Sequence, residues 1–189
     1  SKVDVVVFSK LMKREIQQEY IKNRPIRVLP PGVNVDFFKP TESTFENYKP
    51  FILFVGRLAK SKNITPLIEA MAHINDYNLV LVGEGPDKKQ FQDQIEALNL
   101  KNKVFFEGRQ KERLPEYYSN ASLTILPSKF ESFGQVILES LSCGTPVIGF
   151  GNHPNYKTAI NEILNHPRQG HIISDDGTMA IVKAIESLS

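Results

Sequence analysis

Glu131 and Glu139 stand eight positions apart on either side of Ser132-Phe133-Gly134-Gln135. Upstream, Leu123-Thr124-Ile125-Leu126 is an apolar run closed by Pro127, which suits a buried strand and then a break. From Phe133 the pattern turns helical, with Phe133, Ile137 and Leu141 on one stripe. Ser132 with Gln135 spells a capping box, so the spacing predicts a helix over 133–142. The free amides of its first turn, at Gly134, Gln135 and Val136, would face the loop that carries Glu131. Such an arrangement is an anion seat flanked by two carboxylates, suited to a phosphate attached to something rich in hydroxyls.

A second set of charges lies earlier. The apolar run Phe51–Val55 ends in Gly56-Arg57-Leu58-Ala59-Lys60-Ser61-Lys62. Gly56 lets backbone approach a ligand, Arg57 offers a planar fork to phosphate oxygens, and Lys62 a mobile point charge. Lys60 reads as an outward-facing surface lysine. Gly83-Glu84-Gly85-Pro86 follows the next apolar run and Glu107-Gly108-Arg109 the one after. Both loops make turns first; Gly83 could also let a flat base or ribose lie near the main chain, and Arg109 could be another phosphate or base-edge contact. Neither loop is a G-x-G-x-x-G or Walker sequence, so the dinucleotide and P-loop readings have no warrant. His73, His153, His166 and His171 show no metal-ligand spacing and no place in a nucleophilic triad. The residues therefore point to no metal.

The elements that must hold these groups alternate. Strand-like runs fall at 3–8, 26–29, 51–55, 79–82, 104–106, 123–126, 147–149 and 171–174. Helical patterns fall at 10–21, 65–74, 87–98, 113–120, 133–142, 157–165 and 178–188, with prolines at 66, 86 and 115 near their starts. Runs that are apolar on both faces imply an α/β fold, a doubly wound, Rossmann-like parallel sheet covered by helices on each side. Ligands on such sheets collect at the carboxyl ends of the strands. The rhythm breaks only over 30–50, which carries Pro30, Pro31, Pro40 and Pro50 without periodicity. It reads as an inter-domain linker, with 1–29 the last β-α-β of a preceding domain and 51–189 one doubly wound domain.

Composition narrows the class. With 41% hydrophobic and 23% charged residues, disordered and fibrous chains are excluded. No apolar run approaches the length of a membrane span, and the opening Ser1-Lys2-Val3-Asp4 has no secretory leader pattern. The single cysteine, Cys143, allows no internal disulfide and fits a reducing, cytoplasmic compartment; it reads as a buried, inert thiol. Residues 1–30 hold seven Lys/Arg against three acidic residues, +4 of the net +2, so the remainder is −2. That basic helix could touch anionic lipid at the inner face of a membrane, although a solvated face is the plainer reading. No aromatic and basic stripe supports nucleic-acid binding.

Taken in order, six stretches resemble the C-terminal, donor-binding domain of retaining glycosyltransferases of the GT-B fold, in particular family four. They are Phe51–Leu58 with Lys62, Leu79–Pro86, Val104–Gly108, Leu126-Pro127-Ser128, Glu131–Gly134 with Glu139, and Cys143–Ile148. Ser9 and Pro31-Gly32-Val33-Asn34 are similar to that family's approach to its linker. The resemblance implies a UDP-, GDP- or ADP-sugar donor and no metal or other cofactor. It places the diphosphate on Arg57 and Lys62, a phosphate on the amides of Gly134, Gln135 and Val136, and the ribose on Glu139. Glu131 would face the donor sugar near the reacting carbon, without acting as a general base. Gly56, Gly83 and Arg109 would border the nucleotide. It also implies a sugar, lipid or glycan acceptor bound by an N-terminal domain that is absent here, so that this chain alone would be inactive. Past Gly149 the family's glycine-rich acidic turn is replaced by Asn152-His153-Pro154-Asn155-Tyr156-Lys157. A GT-B nucleotide-sugar epimerase and a non-catalytic nucleotide-sugar-binding module are the alternatives.

Overall fold

A computed structural model describes residues 5–21, 24–42, 45, 48–151, 153, 155–175 and 177–188. Val3 and Asp4 of the first strand reading, and Asn152 and Pro154 of the atypical turn, lie outside the described residues. The strands β1 (Val5–Val7) and β2 (Ile26–Val28) pair in parallel across the helix α1 (Lys10–Glu19). Six further strands form one parallel sheet: β3 (Phe51–Val55), β4 (Asn78–Val82), β5 (Val104–Gly108), β6 (Leu123–Leu126), β8 (Val147–Phe150) and β10 (Gly170–Ile173). Between them lie α2 (Ile64–Ala70), α3 (Lys88–Ala97), α4 (Leu114–Asn120), α5 (Gln135–Ser142) and α6 (Ile160–Ile163), and α7 (Thr178–Glu186) follows β10.

The sheet order is β10-β8-β6-β3-β4-β5. The chain builds outward from β3 to β5, then returns to β3's other side and builds the opposite way. The reversal leaves a crevice between β3 and β6, the place where doubly wound sheets bind ligands. The sequence makes this sheet because its central strands, β3 and β4 above all, are apolar on both faces. Ile52, Phe54, Leu79 and Leu81 pack under α2, α3 and α7, while Phe51, Leu53, Val80 and Val82 pack against α4 and the chain before β3. Phe51 through Phe54 are fully buried, and each such side chain contributes about 1.5–3 kcal/mol.

Within 30–50, aperiodic in sequence, the described residues Phe38, Thr41, Phe45 and Tyr48 lie along this second face. Phe38 packs on Tyr118, Phe45 enters the core beside Tyr117, and the Asn78 amide donates to the Tyr48 carbonyl at 2.8 Å. Thr41 N–H donates to Ser119 Oγ at 3.1 Å, and the Ser142 hydroxyl donates to the Phe38 carbonyl. The segment is a strap over α4 and α5. The β1-α1-β2 unit is joined to the other end of the chain by Glu162, whose carboxylate accepts the Lys10 and Leu11 amides at 2.8 Å each. The Glu15–Lys157 ion pair at 2.9 Å adds to this.

Two expectations need correction. The helix over 157–165 is shorter, because Lys157–Thr158 is a strand, β9, paired in parallel with β7 (Phe130–Glu131), and α6 starts only at Ile160. Two-residue strands carry no periodicity to read. The helix expected from Phe133 begins at Gln135, for a reason given with the site below. No helix among the described residues is long and apolar enough to cross a membrane.

α5 is anchored by buried hydroxyls. Ser140 Oγ lies 2.8 Å from Thr124 Oγ1 and 3.0 Å from the Thr145 carbonyl, and Thr145 Oγ1 donates to the Tyr118 carbonyl at 2.6 Å. Ser140→Ala leaves these groups short of a partner and is expected to cost about 1–2 kcal/mol. Urea unfolding should show a lower midpoint with an unchanged slope; an unchanged midpoint would remove the network from the account of how α5 is held.

Candidate functional site

The carboxyl ends of β3, β4 and β5 surround a cleft of about 590 Å³. Gly56, Gly83 and Gly85 form its floor, with Arg57, Arg109 and Gln110 along it. The floor is main chain for a steric reason: a Cβ on Gly83, whose φ is +142°, would come within 1.8 Å of the Gly56 carbonyl oxygen. The Gly83 amide donates to the Gly108 carbonyl at 2.7 Å and the Gly56 amide to Val82 at 3.0 Å, tying the three strand ends together. Gly83 thus serves the approach of two strands, whatever lies above it. Arg57 and Arg109 are exposed, and neither guanidinium has a hydrogen-bond or ion-pair partner among the described residues. Two unpaired cations over this main-chain floor, with the Glu84 carboxylate that also lines the cleft paired to Lys88 at 2.9 Å, make an anion-attracting surface.

Lys62 ends a short 3-10 turn, Lys60–Lys62, and Asn63 beyond it takes the left-handed conformation that starts α2. Its Nζ lies 2.8 Å from Glu131 Oε2, with the two side chains 27% and 20% exposed. Glu131 belongs to β7, where Ala159 N–H donates to its carbonyl at 3.1 Å and Lys157 N–H to that of Lys129 at 2.8 Å. The pair therefore bridges the loops after β3 and β6, across the crevice where the sheet reverses. Lys60 is exposed, and its amide caps on Asp87 at 2.8 Å.

The expected capping box at Ser132 and Gln135 does not form. Gly134 is the N-cap, at φ 88° and ψ 61°, and no side chain caps the helix. In this left-handed conformation, which glycine reaches without strain, the chain turns so that helix begins after Gly134 rather than after Ser132. Ser132 is exposed, and the Gln135 amide reaches back to donate to the Gly32 carbonyl at 2.9 Å. A Cβ on Gly134 would lie 2.8 Å from Ile137 Cδ1 and 3.5 Å from Glu131 Cγ, so the turn is packed against the glutamate. The first turn of α5, with the Gln135 and Val136 amides, thus follows a cap packed beside Glu131, and that cap differs from the one the sequence suggested.

Glu139 lies one turn further along α5. The hydroxyl of fully buried Tyr118 donates to its Oε2 at 2.8 Å. Burial raises the Glu139 carboxyl above the usual carboxylate range, and the Tyr118 bond opposes that in part. The same burial, with Glu139 beside it, drives the Tyr118 phenol well up. Thus the two glutamates have different company: Glu131 a cation, Glu139 a phenol. Tyr118, Tyr117 and Tyr48 escaped the sequence reading, and the adjacent tyrosines of Leu114-Pro115-Glu116-Tyr117-Tyr118 were the available signal. Burial pushes the Cys143 thiol up to about 11, consistent with an inert group. His153 lies 4.9 Å from the Tyr156 ring, tilted by 33°, and does not line the cleft. Among the described residues no group of three or more His, Cys, Asp or Glu is placed to hold a metal.

Residues 36–189 match the family model of group 1 glycosyl transferases. A D-inositol 3-phosphate glycosyltransferase of Acidothermus cellulolyticus is 35% identical over 145 residues, which cover 65% of this chain and 32% of that protein. An alpha-monoglucosyldiacylglycerol synthase of Streptococcus pneumoniae is 29% identical over 167 residues, covering 79% of this chain and 38% of that protein. The sucrose-phosphate synthase structure from Thermosynechococcus elongatus superposes with a TM-score of 0.86 at 28% identity, over 97% of this chain and 48% of that one. The Anabaena HepE structure, solved with UDP and glucose, has the same fold at TM-score 0.84 and 22% identity, over 97% of this chain and 53% of that one. The chain spans about a third to two-fifths of the length of such curated relatives.

Proposed function

The chain belongs to the group 1 glycosyl transferases and has the fold of the C-terminal half of a GT-B enzyme, and from that premise we propose that it grips the nucleotide-sugar donor in a transfer that retains configuration. The Lys62–Glu131 pair across the crevice of sheet reversal carries this reading, because it sets a cation for phosphate beside a carboxylate for a sugar. Arg57 and Lys62 would bind the diphosphate. The first-turn amides at Gly134, Gln135 and Val136 would cap its outer phosphate, Glu139 would take the ribose hydroxyls, and Gly56, Gly83 and Arg109 would flank the nucleotide. As the bond to the sugar breaks, charge grows on the diphosphate, and fixed cations and amides stabilise it there. No metal is needed for that step in this proposal. Glu131 steadies the sugar and is not a base.

The acceptor, a sugar, lipid or glycan, would meet the donor from a preceding domain, and the β1-α1-β2 unit would be that domain's last part. A lipid acceptor would suit a cytoplasmic protein touching the membrane's inner face through the basic side of α1; the Streptococcus relative that makes a glycolipid supports this.

Thermal unfolding with UDP, GDP and ADP tests the reading. A ligand at 100 times its dissociation constant stabilises by about 2.7 kcal/mol, equivalent to roughly 5–10 °C in a chain of this size. One of the three is expected to give that shift, with or without EDTA. No shift from any of them at millimolar concentration would sink the donor-binding assignment, and loss of the shift in EDTA would sink the metal-free step.

A further inference from the structure

Glu107 has a conformation and a set of partners that the donor reading leaves unused. Along β5, Phe106 pairs with Leu81 but Gly108 pairs with Val82, so Glu107 is the extra residue of a β-bulge. Bulges next to binding sites re-aim side chains and end the pairing of a strand. This one is held from three directions. The Tyr48 hydroxyl, from the strap, donates to Glu107 Oε1 at 2.6 Å. The Tyr117 hydroxyl, from α4, donates to Oε2 at 2.6 Å. The Gln110 side chain donates to the Glu107 carbonyl at 2.7 Å.

The anchors themselves are fixed. Tyr117 is fully buried and lies 4.5 Å from the Phe45 ring, while Tyr48 lies 5.1 Å from Phe105. The Arg113 guanidinium covers Phe45 at 5.0 Å and Tyr117 at 5.8 Å. Downstream of the bulge, Gly108 takes a φ of +65° and its carbonyl accepts the Gly83 amide from the cleft floor. The next two residues, Arg109 and Gln110, line the cleft. Glu107 itself does not.

We propose that Glu107 is a positioning residue for the nucleoside end of the cleft, locked by Tyr48 and Tyr117 so that Arg109 and Gln110 are preset before ligand arrives. This rests on the donor-binding reading and adds to it a coupling between the strap and the cleft. A carboxylate with both oxygens taken by phenols can hold one orientation, and the bulge then has one place to put the following loop. Loss of either phenol frees the loop to sample others, and the ligand must select the competent one.

The test compares Tyr48→Phe, Glu107→Gln and Glu107→Leu with the parent chain, titrated calorimetrically with UDP, GDP, ADP and inorganic pyrophosphate. The nucleoside diphosphate that the parent prefers should bind about tenfold more weakly to Glu107→Leu and a few-fold more weakly to Tyr48→Phe and Glu107→Gln. Pyrophosphate, which has no nucleoside to place, should bind all four proteins alike. Equal losses for nucleotide and pyrophosphate would mean that Glu107 only holds the domain together, and unchanged nucleotide affinity in Tyr48→Phe would remove the lock; either result overturns the inference and leaves the donor reading standing. If Glu107→Leu does not fold, Tyr48→Phe, which loses one hydroxyl, decides. A parent chain that binds none of the three nucleotides removes the donor reading and this inference together.

Discussion

Lys62→Ala and Arg57→Ala should each weaken binding of the preferred nucleoside diphosphate by about 1.5–3 kcal/mol, the size of a lost charge-assisted hydrogen bond. Lys60→Ala, at an exposed side chain three positions from Arg57, should change it by less than about 0.5 kcal/mol. The structure separates the first two further. Arg57 is exposed and without a partner among the described residues, so its removal should leave thermal stability untouched. Lys62 is partly buried against Glu131, so Lys62→Ala strands a carboxylate and should lower the unfolding temperature slightly, within the modest range of solvent-screened pairs. Isothermal titration and thermal melts on the three variants are sufficient. Equal affinity losses at Lys60 and Lys62 would show that the loop presents the wrong lysine.

Much of this site was legible because its parts sit where strands end. Phe51–Val55 and Leu123–Leu126 form strands with the bounds expected, since short runs with apolar residues on both faces leave few other ways to be buried. Once those strands are parallel, Arg57 and Glu131 must lie at the same edge of the sheet. What the sequence hid was of two kinds. The start of α5 depended on a backbone choice: Ser132 and Gln135 have capping-box spacing, yet Gly134 turns left-handed and caps the helix instead. The ribbon β7–β9 and the lock on Glu107 depend on partners far along the chain. Tyr48 is 59 residues from Glu107, and nothing in either local pattern announces the other. The strap was illegible for the same reason. Its aromatics Phe38, Phe45 and Tyr48 have no period because each meets a different part of α4, α5 or β5.

Glu139→Gln and Glu131→Gln should have opposite profiles. Burial raises the Glu139 carboxyl, so its folded pKa lies above the unfolded one near 4.5. A group shifted that way favours the fold below the unfolded value and loses that contribution as pH rises through the folded value. Wherever Glu139 is ionised in the folded chain its burial is therefore a cost to stability, and in the proposed site that carboxylate would be the ionic acceptor for the ribose hydroxyls. Glu139→Gln removes the charge and leaves an oxygen for the Tyr118 hydroxyl. It should melt at the same or a higher temperature than the parent at pH 7, with that advantage shrinking toward pH 4. Nucleoside diphosphate binding should nonetheless weaken by about 1.5–3 kcal/mol. Glu131→Gln is the converse. It frees Lys62 from its ion pair, so diphosphate binding should be unchanged or slightly tighter. In the full-length enzyme its turnover should fall about 10²–10³-fold, the usual cost of removing one polar group aimed at the reacting centre. Glu131→Gln weakening the diphosphate as much as Glu139→Gln would refute this division of labour. A lower melting temperature for Glu139→Gln at pH 7 would mean that its charge helps hold the fold and that the ribose role is not needed to explain it.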